Sequence, residues 1–402
     1  MGSLVATSSP SPKRERPSFL GATGITGVGY TNMRRHGKSS VLGLALEACR
    51  AALADCGLAA EEVDGVASFG LFGDSVTSQA VGTGLGLGDL TYTLDLNNGG
   101  SQPCFAVMSA AMAIAAGLAH NVLVFRALTG RTGTKVGSTR FESPTSQYRY
   151  PIGFTAYPYY IAMWARRFMI ETGATENDLA AVVISQREYA ARNERAVRRN
   201  RITSEEYFVR EYVVEPFRTV DCTVEVDGAV AVLVTSTDRA SAQGAPIAVI
   251  EGAAWVTGSG SGLDIADFHS WRDFTRNCQF RLAPRLWASC GLRPADIDIA
   301  EIYDCFSPAV LYGLEGLGFV GRGEAGAFIR DGHTSAGGSL PVNTHGGLLN
   351  EGYVHGMNTV AEAALQIQGR AGAVQVADAE TCAVTSGVLV DGSALILRKG
   401  DR

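Results

Sequence analysis

Charge is scarce in this 402-residue chain. Only 18% of its residues are Asp, Glu, Lys or Arg, while 46% are hydrophobic. Such a composition can bury a large core, which excludes general disorder and suits a globular enzyme. A basic excess is missing as well: 34 basic and 40 acidic residues leave a formal net charge of -6. That balance excludes a nucleic-acid binder resting on a broad basic face. Prolines are few, 13 against 48 glycines, and no Gly-X-Y period runs through the chain. The glycines indicate an α/β protein with tight turns and close backbone contacts.

Long hydrophobic runs are absent too. No stretch reaches the ~18 apolar residues of a spanning helix, and Met1 to Ser18 is polar, with no apolar signal core. The sequence therefore predicts a flexible leader over residues 1–18, no membrane span and a cytoplasmic protein. The eight cysteines show neither a C-x-x-C pair nor a short His/Cys cluster, so no disulfide framework or metal site is expected. No G-x-S-x-G elbow, P-loop, H-E-x-x-H or strand-linked G-x-G-x-x-G occurs, which removes the usual support for hydrolases, kinases, zinc proteases and dehydrogenases.

What is present begins with an amphipathic helix over Ser39–Gly57, its apolar residues at helical spacing. The run Cys56-Gly57-Leu58 to Asp64 recurs 234 residues later as Cys290-Gly291-Leu292 to Asp298. Each copy follows a helix and precedes an apolar strand, which predicts an internal duplication into two α/β halves. The expected halves are residues 19–244 and 245–402. Between the two copies, an Ala-rich helix over Ala106–Ala119 is predicted at the centre of the fold, followed by a buried strand from Asn121 to Leu128. Residues 129–218 change in character and predict an insertion covering a site. Its aromatic run from Tyr148 to Trp164 reads either as the core of a small subdomain or as a lining for a bulky apolar substrate. Asp227-Gly228 is predicted as a turn before the next strand. Arg192, Arg195, Arg198, Arg199 and Arg201 form the dense basic patch, either a solvated helix face or a clamp for the phosphates of a nucleotide-like ligand.

Polar and glycine residues concentrate in three loops: Asn97-Asn98-Gly99-Gly100-Ser101, Glu301 to Ser307, and Asn343 to Gly356. Each lies at a strand end or before a helix, where α/β folds place ligands. On these loops the chain resembles the thiolase superfamily, in particular its lipid-transfer-protein (sterol carrier protein) type. The resemblance runs from about Phe19 to the C-terminal strand. It implies the duplicated five-layered α/β/α/β/α thiolase fold and a ligand carried as a coenzyme A thioester.

The family's catalytic residues are missing from their positions. Gly100 stands where the nucleophilic Cys belongs, and Cys104, four residues on, reads as structural. The family's N-E-A-F loop is Tyr303-Asp304-Cys305-Phe306, its G-H-P loop has Tyr353 in place of His, and the acid/base Cys has no equivalent. Without a thiolate, acyl transfer through a thioester enzyme loses its chemistry.

Y-D-C-F together with E-G-Y-V-H-G looks like the steroid side-chain-cleaving aldolases of the superfamily. That resemblance implies retro-aldol cleavage of a β-hydroxyacyl-CoA to a ketone and a short acyl-CoA such as propionyl-CoA, with Tyr303 and Tyr353 as the acid/base pair. Gly100, Asp304, His345 and His355 are supporting or oxyanion candidates, and Arg192, Arg195, Arg198 and Arg199 candidate coenzyme A contacts. It further implies no cofactor beyond the coenzyme A of the substrate, no metal in this chain, a homodimer through the thiolase core, and a complex with a small OB-fold protein carrying a zinc ribbon. A non-catalytic acyl-CoA- or lipid-binding subunit and a thiolase-type acyltransferase using another Cys are the competing readings.

Overall fold

The computed structural model describes residues 16–133, 144–258, 273–276 and 278–400. Of the leader expected over residues 1–18, all but Arg16, Pro17 and Ser18 lies outside them, as does part of the expected insertion.

The strands are β1 (Thr23–Tyr30), β2 (Gly65–Gly70), β3 (Tyr92–Asn97), β4 (Asn121–Thr129), β5 (Tyr212–Val214), β6 (Phe217–Arg218), β7 (Asp227–Ser236), β8 (Ala248–Thr257), β9 (Ile299–Glu301), β10 (Thr381–Ser386) and β11 (Asp391–Lys399). Nine of them form one mixed sheet in the order β3-β2-β4-β7-β1-β8-β11-β10-β9, and β5 pairs with β6. Outward from β1 come β7, β4 and β2; outward from β8 come β11, β10 and β9. In both directions the first two pairings are antiparallel and the third is parallel.

The two arms meet through only two residue pairs, Gly24 with Val249 and Ile25 with Ala248. A Cβ at Gly24 would stand 2.5 Å from the Ala248 carbonyl oxygen, so the closeness of this joint depends on glycine. So short a joint lets the arms fold over one another. Between them lie the helices Pro103–Ala115 and Met357–Ile367, packed against strands of both arms, while Val41–Cys56 covers the first arm and Cys278–Cys290 the second. These are the five layers of the thiolase fold. The Pro103–Ala115 helix can fill a slot lined on two sides because its side chains are mostly small. It starts earlier than its periodicity suggests, with Pro103 at its first position, and ends before the left-handed Gly117.

Local chemistry explains the recurring sequence. At Cys56 and again at Cys290 a helix ends, the next residue is a left-handed glycine (Gly57 φ +70°, Gly291 φ +73°), a single 3-10 turn follows, and a strand begins. Asp227-Gly228, by contrast, is no turn. Both residues sit inside β7, in register with Thr129 and Leu128 of β4. The Asp227 carboxylate accepts the backbone N–H groups of Arg131, Thr132 and Gly37, capping neighbouring loops instead of its own. The C-terminal segment carries two strands, β10 and β11, paired antiparallel and joined through Gly387–Val390.

Candidate active site

All three polar loops open onto one cavity of about 530 Å³. The first ends β3, the second runs from β9 into the helix Pro308–Leu317, and the third leads into the helix Met357–Ile367. Tyr303 is anchored by its backbone N–H to Thr385 Oγ1 (3.0 Å), and the Tyr353 N–H donates to the Val224 carbonyl (3.0 Å). Their phenolic oxygens meet at 2.8 Å, and both rings line the cavity.

Glycine makes this meeting possible. A Cβ at Gly100 would lie 1.9 Å from the Tyr303 hydroxyl oxygen, so that hydroxyl occupies the space a side chain at position 100 would take. A Cβ at Gly356 would lie 2.7 Å from the Tyr303 ring. Burial, and after it the neighbouring Tyr353, holds the Tyr303 pKa well above the ordinary phenol value. Burial followed by Cys305 does the same for Tyr353. Two protonated phenols therefore share one hydrogen bond at the cavity floor.

His355 lines the cavity with its ring edge-on to Tyr353, the centroids 4.9 Å apart. Its Nδ1 accepts from Arg126 Nε at 3.1 Å and Nη2 at 2.8 Å. Arg126 is completely buried; its Nη2 also reaches Asp74 at 2.6 Å and its Nη1 the Ala127 carbonyl at 2.7 Å. Burial and then the Arg126 charge press the His355 pKa well below its ordinary value. Neither Arg126 nor Asp74 emerged from the motifs. The available signal was a lone charge in the apolar run from Val122 to Leu128, since a charge inside a buried strand has to be paired.

The other candidates lie elsewhere. Asp304 is buried behind the third loop, accepting the N–H groups of Leu348 (2.8 Å) and Leu349 (3.3 Å), and burial raises its pKa to about 7. His345 points away from the cavity toward Glu301, 2.9 Å away. Burial opposes its charge, yet Glu301 and then Glu351 lift its pKa to about 9. Of the arginines, Arg195 pairs with buried Glu351 (2.9 Å) and Glu362 (2.5 Å). Arg198 lines the cavity while donating to the carbonyls of Cys222 and Leu349. Arg192 lies over the Tyr189 ring, Arg199 reaches the Ala191 carbonyl, and neither lines the cavity. The basic run is not one helix face, because the helix Glu176–Arg192 stops at its first member.

The aromatic run divides between its two readings. Tyr157 and Pro158 line the cavity, whereas Trp164 is buried against Tyr312, ring centroids 3.6 Å apart. Cys104 is buried away from the cavity, accepting from Ser386 Oγ at 3.1 Å, and burial raises its pKa to about 12. Cys222 and Cys305 do line the cavity, but burial raises both, Cys222 to about 12. Among the described residues no cysteine at the cavity is poised as a thiolate, and no three His, Cys, Asp or Glu side chains converge on a possible metal position. None of the described helices is long and apolar enough to cross a membrane.

Comparisons with known proteins bear on the family and the fold. The family model described as "Thiolase C-terminal domain-like" matches residues 260–399. The chain is 39% identical to the 17-hydroxy-3-oxo-4-pregnene-20-carboxyl-CoA lyase of Mycobacterium tuberculosis over 94% of this chain and 99% of that one. It is also 39% identical to the steroid side-chain-cleaving aldolase of Thermomonospora curvata, over 94% and 98%. Among solved structures, an Ltp2-ChsH2(DUF35) aldolase superposes with a TM-score of 0.89 at 37% identity, covering 96% of this chain and 100% of that one. The chain belongs to the thiolase superfamily, among its lipid-transfer-protein (sterol carrier protein) type members beside the steroid side-chain-cleaving aldolases.

Proposed function

We infer that the protein is a carbon–carbon lyase that cleaves a β-hydroxyacyl-CoA by a retro-aldol reaction. The observation that carries this reading is the 2.8 Å contact between the Tyr303 and Tyr353 hydroxyls, in a cavity where the nucleophile position is a glycine. Likeness to the two named relatives points to a steroid side-chain thioester with a hydroxyl at the ring carbon. Leu71, Leu128, Ile161, Phe306 and Leu389 give the cavity an apolar wall suited to such a ring system.

In the mechanism we propose, the substrate hydroxyl gives its proton to one tyrosine oxygen as the Cα–Cβ bond breaks. The ring carbon becomes a ketone, and the bonding pair passes to Cα and the thioester carbonyl as an enolate. The first tyrosine hands its own proton along the shared hydrogen bond to the second, which protonates Cα. The proton count closes, and the products are a ketone and propionyl-CoA when the side chain has three carbons. Because the proton moves through the pair, no free tyrosinate has to form, in keeping with the raised pKa of both phenols. The reaction takes its base, its acid and its donors from side chains, and coenzyme A enters only as part of the substrate.

Arg198, the arginine of the candidate set that reaches the cavity, is our candidate for a coenzyme A contact. We propose a division into two halves near residue 245, with 129–218 as an insertion; the mirrored pairing pattern outward from β1 and β8 supports it. We also propose a homodimer, for which β3 at the outer end of the sheet offers an edge, and a complex with a small OB-fold subunit, on the strength of the Ltp2-ChsH2(DUF35) likeness. The test is to incubate the protein and that subunit with a 17-hydroxy steroid side-chain CoA thioester and follow the products by mass spectrometry. Ketone and propionyl-CoA released in equal amounts support the reading; unchanged substrate overturns it.

A further inference from the structure

Two hydrogen bonds settle where His355 carries its proton. A guanidinium only donates, and Arg126 directs Nε and Nη2 at His355 Nδ1, at 3.1 and 2.8 Å. Nδ1 therefore holds a lone pair, and the imidazole proton sits on Nε2. Among the described residues Nε2 has no hydrogen-bond partner, and His355 lines the cavity. A cationic imidazole would set an N–H against two N–H groups and a positive charge, so the ring stays neutral. Asp74, at 2.6 Å, balances the buried guanidinium and holds its orientation.

The backbone gives an independent observation. His355 has a φ of +49°, a left-handed conformation uncommon outside glycine, which asparagine, aspartate and histidine enter more readily than other side chains. Local strain of this kind persists where a particular side chain is required. Here the requirement is an imidazole whose two nitrogens do different jobs, one facing Arg126 and one facing the cavity.

We propose that His355 is a neutral, tautomer-locked hydrogen-bond donor whose Nε2–H binds the thioester oxygen as it becomes the enolate, with Arg126 and Asp74 as the positioning residues that lock it. This rests on the aldolase reading and deepens it, because the two tyrosines are occupied with the hydroxyl proton and leave the enolate oxygen in need of a donor. The Arg126 hydrogen bonds draw electron density from the ring and strengthen Nε2–H as a donor, while preventing the ring from acting as a base. A fixed donor aimed where charge develops needs no reorganisation during the reaction.

Two substitutions separate the nitrogens. In His355→Gln the amide nitrogen reaches the Nε2 position and keeps a donor in the cavity. In His355→Asn the amide oxygen replaces Nδ1 opposite Arg126, but the cavity donor is gone, and asparagine tolerates the left-handed backbone. With the full chain and its OB-fold subunit, His355→Asn is expected to lower kcat about 100- to 1000-fold with KM within about twofold, whereas His355→Gln stays within about tenfold of the parent. Equal losses in both variants, or an active His355→Asn, overturn the proposal. A second measurement uses no substrate: the 15N spectrum of histidine-labelled protein, with the His355 signal identified by its loss in His355→Gln. Protonated Nε2 and bare Nδ1 throughout pH 6 to 8 are expected, and a protonated Nδ1 overturns the lock even if the Asn variant fails to fold. Parent protein that releases no ketone overturns the aldolase reading itself, a failure told apart because the nitrogen spectrum is read without substrate.

Discussion

Two histidines ten residues apart in one loop have opposite surroundings. His345 faces Glu301, with Glu351 and Glu362 close enough to add to its charge, and its pKa rises to about 9. His355 faces Arg126, and its pKa is driven well below the ordinary imidazole value. Both are buried, so burial alone does not separate them. The sign of the nearest charge does. His345 belongs to an internal ion network with Arg195 that ties the Asn343–Glu351 part of the loop to the helix Met357–Ile367. His355 belongs to the cavity, where a neutral ring beside two protonated, mutually hydrogen-bonded phenols leaves its Nε2–H and one phenol O–H to a substrate. One cluster braces the loop, and the other presents chemistry from it.

The contrast can be broken from either side. The largest effect is expected in the cavity: Tyr303→Phe and Tyr353→Phe should each lower kcat by about 10³-fold or more, because each removes one member of the proposed proton relay. Steady-state kinetics checks this, with Cys104→Ala as a variant that keeps activity. Next comes Gly100→Ala, whose Cβ would stand 1.9 Å from the Tyr303 oxygen. It is expected to push the two phenols apart, cost about 1–3 kcal/mol of stability as overpacking does, and lower kcat about 100-fold. Chemical denaturation and kinetics together would register both.

On the bracing side, His345→Gln is expected to act on stability more than on kcat. The folded pKa of His345 exceeds its unfolded value, so its ionic contribution is complete below about pH 6.5 and is lost as pH rises through about 9. Denaturation midpoints of the parent should fall across that window by an amount worth up to about 3 kcal/mol, and the variant should lack that slope. The smallest effect is expected at the basic run. Arg198→Ala should raise KM for the CoA thioester about threefold to tenfold, a loss typical of a single hydrogen bond, while Arg192→Ala and Arg199→Ala stay near the parent.

Much of the fold was legible because its signals are local. The sequence Cys-Gly-Leu writes out a helix end, a left-handed glycine and a turn at both copies, and these need only neighbours to form. The joint of the two arms at Gly24 and Ile25 was not legible, since strand pairing across more than 200 residues leaves no mark on either segment. Asp227-Gly228 misled for a related reason: turn chemistry was present, but the Asp227 carboxylate serves loops distant in sequence. In the site, Tyr303 and Tyr353 stood out because they occupy positions where a related family keeps other residues. That Gly100 leaves room for the Tyr303 hydroxyl, and that Arg126 meets a histidine 229 residues away, are properties of the folded chain alone.

The most direct test of the tyrosine relay is a single-turnover product measurement on the 17-hydroxy steroid CoA thioester, comparing the parent with Tyr353→Phe in complex with the proposed OB-fold subunit. The relay requires equimolar ketone and propionyl-CoA from the parent and at least about 10³-fold slower release from the variant. Intact substrate with the parent, or parent-like release from Tyr353→Phe, would contradict it.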